Sequence, residues 1–233
     1  MGLLSRSVRF GPTPSPPAAE APPPAPPAEE RPTYDVDRLG VPQFVTHTYI
    51  ELAKIQDISR FRSGTGHDYS DSVESCRSMK HYFKPTRGID ASAIRIYSPV
   101  EGDVLSVTTE WAGVQIAIRP KSQPAFRVIL FHVTPTVPLN TGTALQAGER
   151  IGTHIGDQTA SDAAIAVDTP TGFRLVFWFE AITHEVFQTY QARGVTTRAR
   201  AIITKAERDA SPLSCSGETF ANAGTLPNWI GLK

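Results

Sequence analysis

The sequence predicts one mainly β domain, with a sandwich or barrel-like core and two or three peripheral helices, behind a disordered N-terminal segment. Three observations lead to this prediction. Short apolar segments with strand character recur between residues 94 and 182, and glycine and proline turns separate them. Helix start signals come only late, at Thr183 and Thr197. Residues 12–32 contain ten of the chain's 20 prolines, which sets this segment apart from the rest.

Residues 1–33 are predicted to be a disordered, proline-rich spacer. Proline fixes φ and removes a backbone donor, so this stretch makes neither a sheet ladder nor a helix interior. It also lacks the apolar area that would offset the entropy of chain ordering. We expect an extended, polyproline-like segment, which is either a tether holding the domain away from a surface or a dispensable tail. Residues 34–233 have a normal length for a single domain with a helical C-terminal extension.

The bulk composition argues against several classes of partner. Lys and Arg number 23 and Asp and Glu also number 23, and no basic block occurs. This balance predicts no nucleic-acid binding. No apolar run reaches the roughly 18 residues that a transmembrane segment needs. The opening residues MGLLSRSVRF are too short and too charged for a secretion signal, so no export signal is visible in this sequence.

The two cysteines, Cys76 and Cys215, nevertheless point to an oxidising compartment. An even pair suits a disulfide outside the cytoplasm, and the alternative is two buried thiols in a cytosolic protein. A proline- and alanine-rich spacer is also what commonly follows a removed lipoprotein or secretion signal. We therefore expect an extracytoplasmic protein, either secreted or bound to a bacterial cell envelope.

The elements follow from the pattern of apolar residues. Residues 61–83 are small, polar and reactive, and are predicted to form a loop with one short helix over 72–80. Helices are predicted from Thr183 to Tyr190 and over 198–209. Strands are predicted within 44–55, 94–107 (two strands around SPVEG), 114–120, 126–133, 145–156, 162–169 and 173–182.

Four segments occur in an order that resembles a known family. His67 and Asp71 stand at H-x-x-x-D spacing, SPVEGDVLSV (98–107) forms a P-x-x-G-x-V phrase, ILFHV (129–133) carries His132, and LNTGTALQAGERIG (139–152) spaces its glycines regularly. Together they resemble the lysostaphin-type zinc endopeptidases, whose core is the duplicated-hybrid-motif β fold. The resemblance covers about 100 residues. It implies that His67 and Asp71 are zinc ligands and that His132 is a catalytic histidine.

The chain departs from this family where a closing H-x-H motif is expected. Asp162 stands in place of one histidine and Ala164 in place of the third zinc ligand. A catalytic zinc needs three protein ligands and an open position for water. We therefore expect no cofactor, or zinc only if another residue completes the site. The candidates are His154, which is the first to test, His81 and Cys76.

The sequence leaves three functional hypotheses. The first is a non-catalytic relative of these endopeptidases that holds a cell-wall peptide or glycan, or an envelope protein, in the former substrate groove. The second is a divergent zinc hydrolase of cell-wall peptides with a replacement ligand, and the third is an assembly domain with a filled groove. Without the family order, ordinary structural roles are the preferred interpretation of His67 and His132. Trp111 is the tryptophan predicted to be exposed, whereas Trp178 is predicted to lie in the core.

Overall fold

The computed structural model describes residues 31–233, which form one compact unit. The predicted disordered segment lies, up to residue 30, outside the described residues. Within the described part, no helix is long and apolar enough to cross a membrane.

The described chain consists mostly of β-strands. Its strands, in chain order, are β1 (Ile55–Ser59), β2 (His81–Pro85), β3 (Arg95–Tyr97), β4 (Gly102–Thr109), β5 (Val114–Pro120), β6 (Phe126–Pro135), β7 (Ala144–Leu145), β8 (Arg150–His154), β9 (Ser161–Thr169), β10 (Gly172–Val176), β11 (Cys215–Ser216), β12 (Thr219–Phe220) and β13 (Trp229–Gly231). Its α-helices are α1 (Val36–Leu39), α2 (Trp178–Ala181), α3 (His184–Gln191) and α4 (Lys205–Ala210). Single turns of 3₁₀ helix occupy Leu52–Lys54, Ala91–Ala93 and Arg198–Ala201.

Eleven strands form one antiparallel sheet, in the order β13-β1-β2-β9-β6-β5-β4-β7. Strand β10 pairs with β9, and β8 pairs with both β3 and β6. The separate hairpin β11–β12 lies outside this sheet. The predicted mainly β fold with few helices is therefore confirmed.

Strands β6 and β9 are central because they are the most apolar. Every residue of β9 except Asp168 is buried, as a strand covered on both faces requires. Along β6, Phe126, Val128 and Leu130 alternate towards the core and are fully buried. Arg127 and Ile129 point to the opposite face.

Strand β8 approaches β6 closely at Gly152, within the glycine phrase of the sequence. A Cβ at this position would lie 2.5 Å from the Thr134 carbonyl oxygen, so a larger residue would force the two strands apart.

Two predicted elements at the start of the domain are wrong. Residues 44–51 form isolated bridges at Val45 and Ile50, and a 3₁₀ turn at Leu52–Lys54 precedes β1. The amides of this segment donate to neighbouring loops and not to a ladder; Val45 N, for example, donates to Ala181 O. The predicted helix over 72–80 is absent. Cys76 has a φ of 54°, which a right-handed helix excludes.

Two predicted elements near the C-terminus are also altered. The strand predicted over 173–182 stops at Val176, and the rest of this apolar run forms α2, where Trp178 is 1% exposed. Such runs fit a buried helix as well as a strand. The helix predicted over 198–209 breaks at Ile202, whose backbone bridges Phe61, and a capping box at Thr204 starts α4. The helix predicted after Thr183 is confirmed as α3, with the Thr183 hydroxyl accepting from Val186 N.

A disulfide joins Cys76 and Cys215, as the sequence predicted, with a Cα–Cα distance of 5.7 Å. It ties the loop before β2 to the β11–β12 hairpin. The hairpin also contacts this loop through its backbone, since Asp68 N donates to Glu218 O over 2.7 Å and His67 bridges Thr219. The disulfide therefore holds together two segments that are far apart in sequence.

Removal of this disulfide tests its contribution to stability. The bond closes a loop of 139 residues, so replacing both cysteines by serine is expected to lower the free energy of unfolding by roughly 4 to 5 kcal/mol in the chain-entropy model. Urea denaturation of the oxidised wild type and the Cys76→Ser/Cys215→Ser variant measures the difference. A difference below about 1 kcal/mol would show that the hairpin is held by its other contacts.

His81 is a buried titratable group on the core face of β2. Its Nδ1 lies 2.7 Å from Ser59 O, and the rings of Phe61, Phe177 and Phe179 surround it. Burial lowers the pKa of His81 to about 4. In the unfolded chain the pKa of His81 is near 6.5. Between pH 6.5 and pH 4 the unfolded state therefore binds one proton that the folded state does not bind. Stability is therefore lost as the pH falls from 6.5 to 4.

We expect His81 to account for roughly 3 kcal/mol of the stability lost between pH 7 and pH 4. His81→Gln keeps a donor for Ser59 O but does not titrate, so its stability should fall less over the same range. Urea denaturation at pH 7, 5.5 and 4 measures both proteins. An identical pH dependence in the two proteins would contradict this assignment.

Candidate functional site

A cleft of about 540 Å³ opens beside β2, β6 and the polar loop that precedes β2. We call it the central cleft. Its lining combines aromatic rings, histidines and carboxylates, namely Gly66, His67, Asp68, Tyr69, Lys80, Tyr82, Glu110, Trp111, Gln115, Phe131, His132, Thr159 and Glu218.

Three strands place one row of side chains at the floor of this cleft. Tyr82 of β2 lies opposite Asp162 of β9, and Asp162 lies opposite Phe131 of β6. Residues in direct register share one face of a sheet, so these three side chains point the same way. Lys80 stands two residues before Tyr82 and therefore joins the same face, while His81 points into the core.

Lys80 and Asp162 form a buried ion pair at the centre of this floor. The Lys80 Nζ lies 2.5 Å from Asp162 Oδ2, and the two side chains are 2% and 0% exposed. The ammonium also lies 4.2 Å from the ring centroid of Phe131, 4.8 Å from that of Tyr69 and 5.2 Å from that of Tyr82. Three ring faces and a carboxylate thus surround one resident cation.

His67 contacts the same ammonium from the loop. Its Nδ1 lies 2.8 Å from the Asp68 carbonyl oxygen, to which it donates. The opposite nitrogen, Nε2, is then the acceptor and lies 3.2 Å from Lys80 Nζ. The histidine that the family resemblance assigns to zinc therefore accepts a hydrogen bond from a lysine.

His132 reaches the cleft through a distortion of β6. Its φ is 59°, in the left-handed region that residues other than glycine rarely adopt. At this residue the partner of β6 changes, because β9 pairs with residues 126–131 and β8 with residues 133–135. The amide released by this bulge donates to Glu110 Oε2 over 3.3 Å. The distortion turns the ring into the cleft.

The ring of His132 is held on both sides. Its Nδ1 lies 3.0 Å from Ala112 O and 3.2 Å from Glu110 Oε2. Its Nε2 faces Asp162 Oδ1 at 3.6 Å. Burial raises the pKa of the Asp162 carboxyl, and the Lys80 ammonium opposes this shift. Asp162 is therefore the shared carboxylate between Lys80 and His132.

Gly66 is required beside this cluster. Its φ is 74°, and a Cβ on it would lie 2.0 Å from the Tyr82 hydroxyl oxygen. The tyrosine thus packs directly on the backbone of the loop that carries His67.

The structure brings some predicted site residues together and separates others. His67 and His132 both line the central cleft. Asp71 does not, because its Oδ1 caps the amides of Val73 and Glu74 while its Oδ2 accepts from Leu175 N. Its role is to hold the loop against β10.

The proposed replacement ligands also lie elsewhere. His154 is buried on β8, where its Nδ1 accepts from Gly156 N, and it does not line the cleft. His81 faces the core, and Cys76 is in the disulfide. Ala164 lies on β9 opposite Ile129 and carries no donor atom.

This arrangement does not fit a zinc ion. Among residues 31–233, no group of three His, Cys, Asp or Glu side chains is arranged to hold a metal. The space against His67 Nε2 and Asp162 Oδ2 is taken by the Lys80 ammonium. A second cation there would face both its repulsion and a filled floor.

The sequence reasoning did not identify Lys80 and Glu110 as site residues. The signal for Lys80 was the charge of Asp162 at the start of a largely apolar strand, since a buried carboxylate requires a partner of opposite charge. Glu110 carries no comparable signal, because its contact with His132 depends on a bulge.

Two neighbouring clefts of about 390 Å³ each share lining residues with the central cleft. One, the arginine cleft, shares Tyr69 and Gln115 with the central cleft and is also lined by Arg119 and Arg127. The other shares Thr159 and is also lined by Trp229. We call the three clefts together the groove. Trp111 stands at its rim, 74% exposed as predicted, with its ring 5.4 Å from that of His132.

Comparisons with known proteins do not assign the chain to a family. No protein-family model matches the chain, and no curated protein matches it. Among solved structures, the NMR solution structure of lysostaphin is similar over 48% of this chain, at 13% identity and a TM-score of 0.30. The match spans 47% of that chain, so this protein covers about half of the length of the structure that it matches.

A double-mutant cycle tests the buried ion pair. Lys80→Met or Asp162→Asn alone leaves a charge without its partner and should cost roughly 3 to 5 kcal/mol of unfolding free energy. The double variant should cost less than the sum of the two by more than about 2 kcal/mol. Urea denaturation measures all four proteins.

The exposed pair Lys121–Glu101 supplies the matched control. Its cycle, Lys121→Met with Glu101→Gln, should show a coupling of at most about 1 kcal/mol. Additive losses in the Lys80 and Asp162 cycle would show that the two side chains do not stabilise each other.

Proposed function

We propose that this domain is a non-hydrolytic binding module that acts outside the cytoplasm. Its groove would hold a cell-wall peptide or glycan, or an envelope protein. Binding and not hydrolysis is the expected activity, because the residues that would perform metal-dependent hydrolysis are engaged otherwise.

One observation carries this proposal. The Lys80 ammonium lies between Asp162 Oδ2 and His67 Nε2, at the centre of the cleft. A lysine ammonium satisfies the charge of the site but has no open coordination position for a water molecule. It therefore does not supply the activated water that hydrolysis of an amide requires.

The shape and lining of the groove support binding. The three clefts share lining residues and together offer a larger binding surface than a single pocket does. An exposed tryptophan at the rim is a common platform for apolar or sugar faces, because it supplies a large contact area at low entropic cost. A location outside the cytoplasm is compatible with the disulfide between Cys76 and Cys215.

Binding to purified peptidoglycan tests this proposal. The wild-type protein should cosediment with it in a saturable manner, and Trp111→Ala should weaken binding about 10-fold through loss of the exposed ring. Leu39→Ala removes another exposed apolar side chain, on α1 and away from the groove, and should bind like the wild type. Equal binding by all three proteins, or none by the wild type, would refute the proposal.

Zinc binding separates this function from the zinc hydrolase. Metal analysis and zinc titration should give the same weak binding for the wild type and for His67→Ala. Stoichiometric zinc that is lost in His67→Ala, together with release of soluble peptidoglycan fragments, would establish the enzyme instead.

A further inference from the structure

The central cleft and the arginine cleft differ in charge. Asp68, Glu110 and Glu218 line the central cleft, where Lys80 and Asp162 neutralise each other. Asp68 accepts from the amides of Cys76 and Arg77, and Glu110 contacts His132, so the exposed Glu218 is the carboxylate most open to a ligand. Arg119, Arg127 and Arg31 line the arginine cleft together with the single carboxylate of Asp168. The net charge of the lining thus changes sign along the groove.

Arg127 is held in place with donors to spare. Its Nη2 donates to Asp168 Oδ1 over 2.8 Å, and its guanidinium lies 5.7 Å from the ring centroid of Phe173. Its Nη1 donates to no acceptor among the described residues. Because this side chain lines the cleft, a ligand oxygen can accept from that group.

Arg119 is exposed at the same end of the groove. It makes no ion pair within residues 31–233, although Asp103 lies opposite it in the ladder of β4 and β5. Beside the two arginines the cleft is apolar, because the cross-strand pair Ala117 and Ile129 lines it. Two guanidinium groups next to an apolar surface suit a carboxylate attached to an apolar chain.

We propose that the arginine cleft is a carboxylate-binding subsite, and that the groove selects a short zwitterionic peptide. The carboxylate end of the peptide lies on Arg119 and Arg127, and its amino end lies beside Glu218 and Glu110. This inference rests on the proposed binding function and adds the class and the orientation of the ligand. A neutral glycan carries no charge that would pair with the arginines or with the carboxylates.

The length of the ligand follows from β5. Gln115, which both clefts share, is four residues from Arg119, a distance of about 13 Å along an extended strand. An extended peptide of about four residues spans this distance. A dipeptide whose carboxylate lies on Arg119 ends short of Gln115 and does not enter the central cleft.

Four forms of tetra-alanine test the proposal: the free peptide, the N-acetylated peptide, the C-amidated peptide and the peptide blocked at both ends. Calorimetric titration or amide chemical shifts give their affinities. Blocking either end should weaken binding about 10-fold, and free di-alanine should bind at least 10-fold more weakly than free tetra-alanine. Equal affinity of the four forms would overturn the proposal.

Charge variants assign each end. In Arg119→Gln, the preference for the free acid over the amide should shrink several-fold, because Arg127 alone remains. In Glu218→Gln, the effect of acetylation should shrink several-fold. Lys121→Gln removes an exposed charge paired with Glu101 outside the cleft and should keep the full differences. An Arg119→Gln variant with an undiminished preference for the free acid would overturn the assignment.

The zwitterionic peptide can be refuted while the proposed binding function holds. If peptidoglycan binding depends on Trp111 but free tetra-alanine neither binds nor competes, the binding module stands and the zwitterionic peptide is refuted. The same holds if a neutral chito-oligosaccharide competes and the free peptide does not.

Discussion

The buried ion pair between Lys80 and Asp162 is the constraint on which the central cleft depends. Removing a carboxylate and an ammonium from water costs several kcal/mol for each ion, so the surroundings must compensate closely. Here the compensation comes from three aromatic faces, from His67 Nε2 and from the contact of 2.5 Å between the charges. Because Lys80 Nζ contacts His67 Nε2, the ion pair also fixes how the loop that carries His67 packs on the sheet.

The bulge at His132 is the second constraint, and it has a topological cause. Strand β6 pairs with β9 along one part of its length and with β8 along the next part. The ladder is therefore interrupted where one partner strand ends and the other begins. The change of partner falls at a residue with positive φ, whose amide turns to Glu110. Backbone strain of this kind persists only where surrounding contacts determine it. It places an imidazole beside Asp162 that a regular strand would direct elsewhere.

The fold was largely predictable because its strands are short, apolar and separated by turn residues. The disulfide was predictable from the pair of cysteines alone. The loop over 61–83 was not, because its shape depends on contacts distant in sequence, such as those of Asp68 with Glu218 and of Asp71 with Leu175. No local propensity encodes these contacts.

The site was predictable only in part, for a related reason. The family resemblance placed His67 and His132 at one site, and both line the central cleft. Asp71 shares the spacing of a ligand pair, yet its carboxylate is used by backbone amides. Lys80 and Asp162 meet only through the pairing of β2 with β9, and strand register is not visible in a single sequence. The ion pair also affects the electrostatics of the groove. Its charges cancel locally, so the carboxylates of the rim and the arginines of the neighbouring cleft determine the field that a ligand meets.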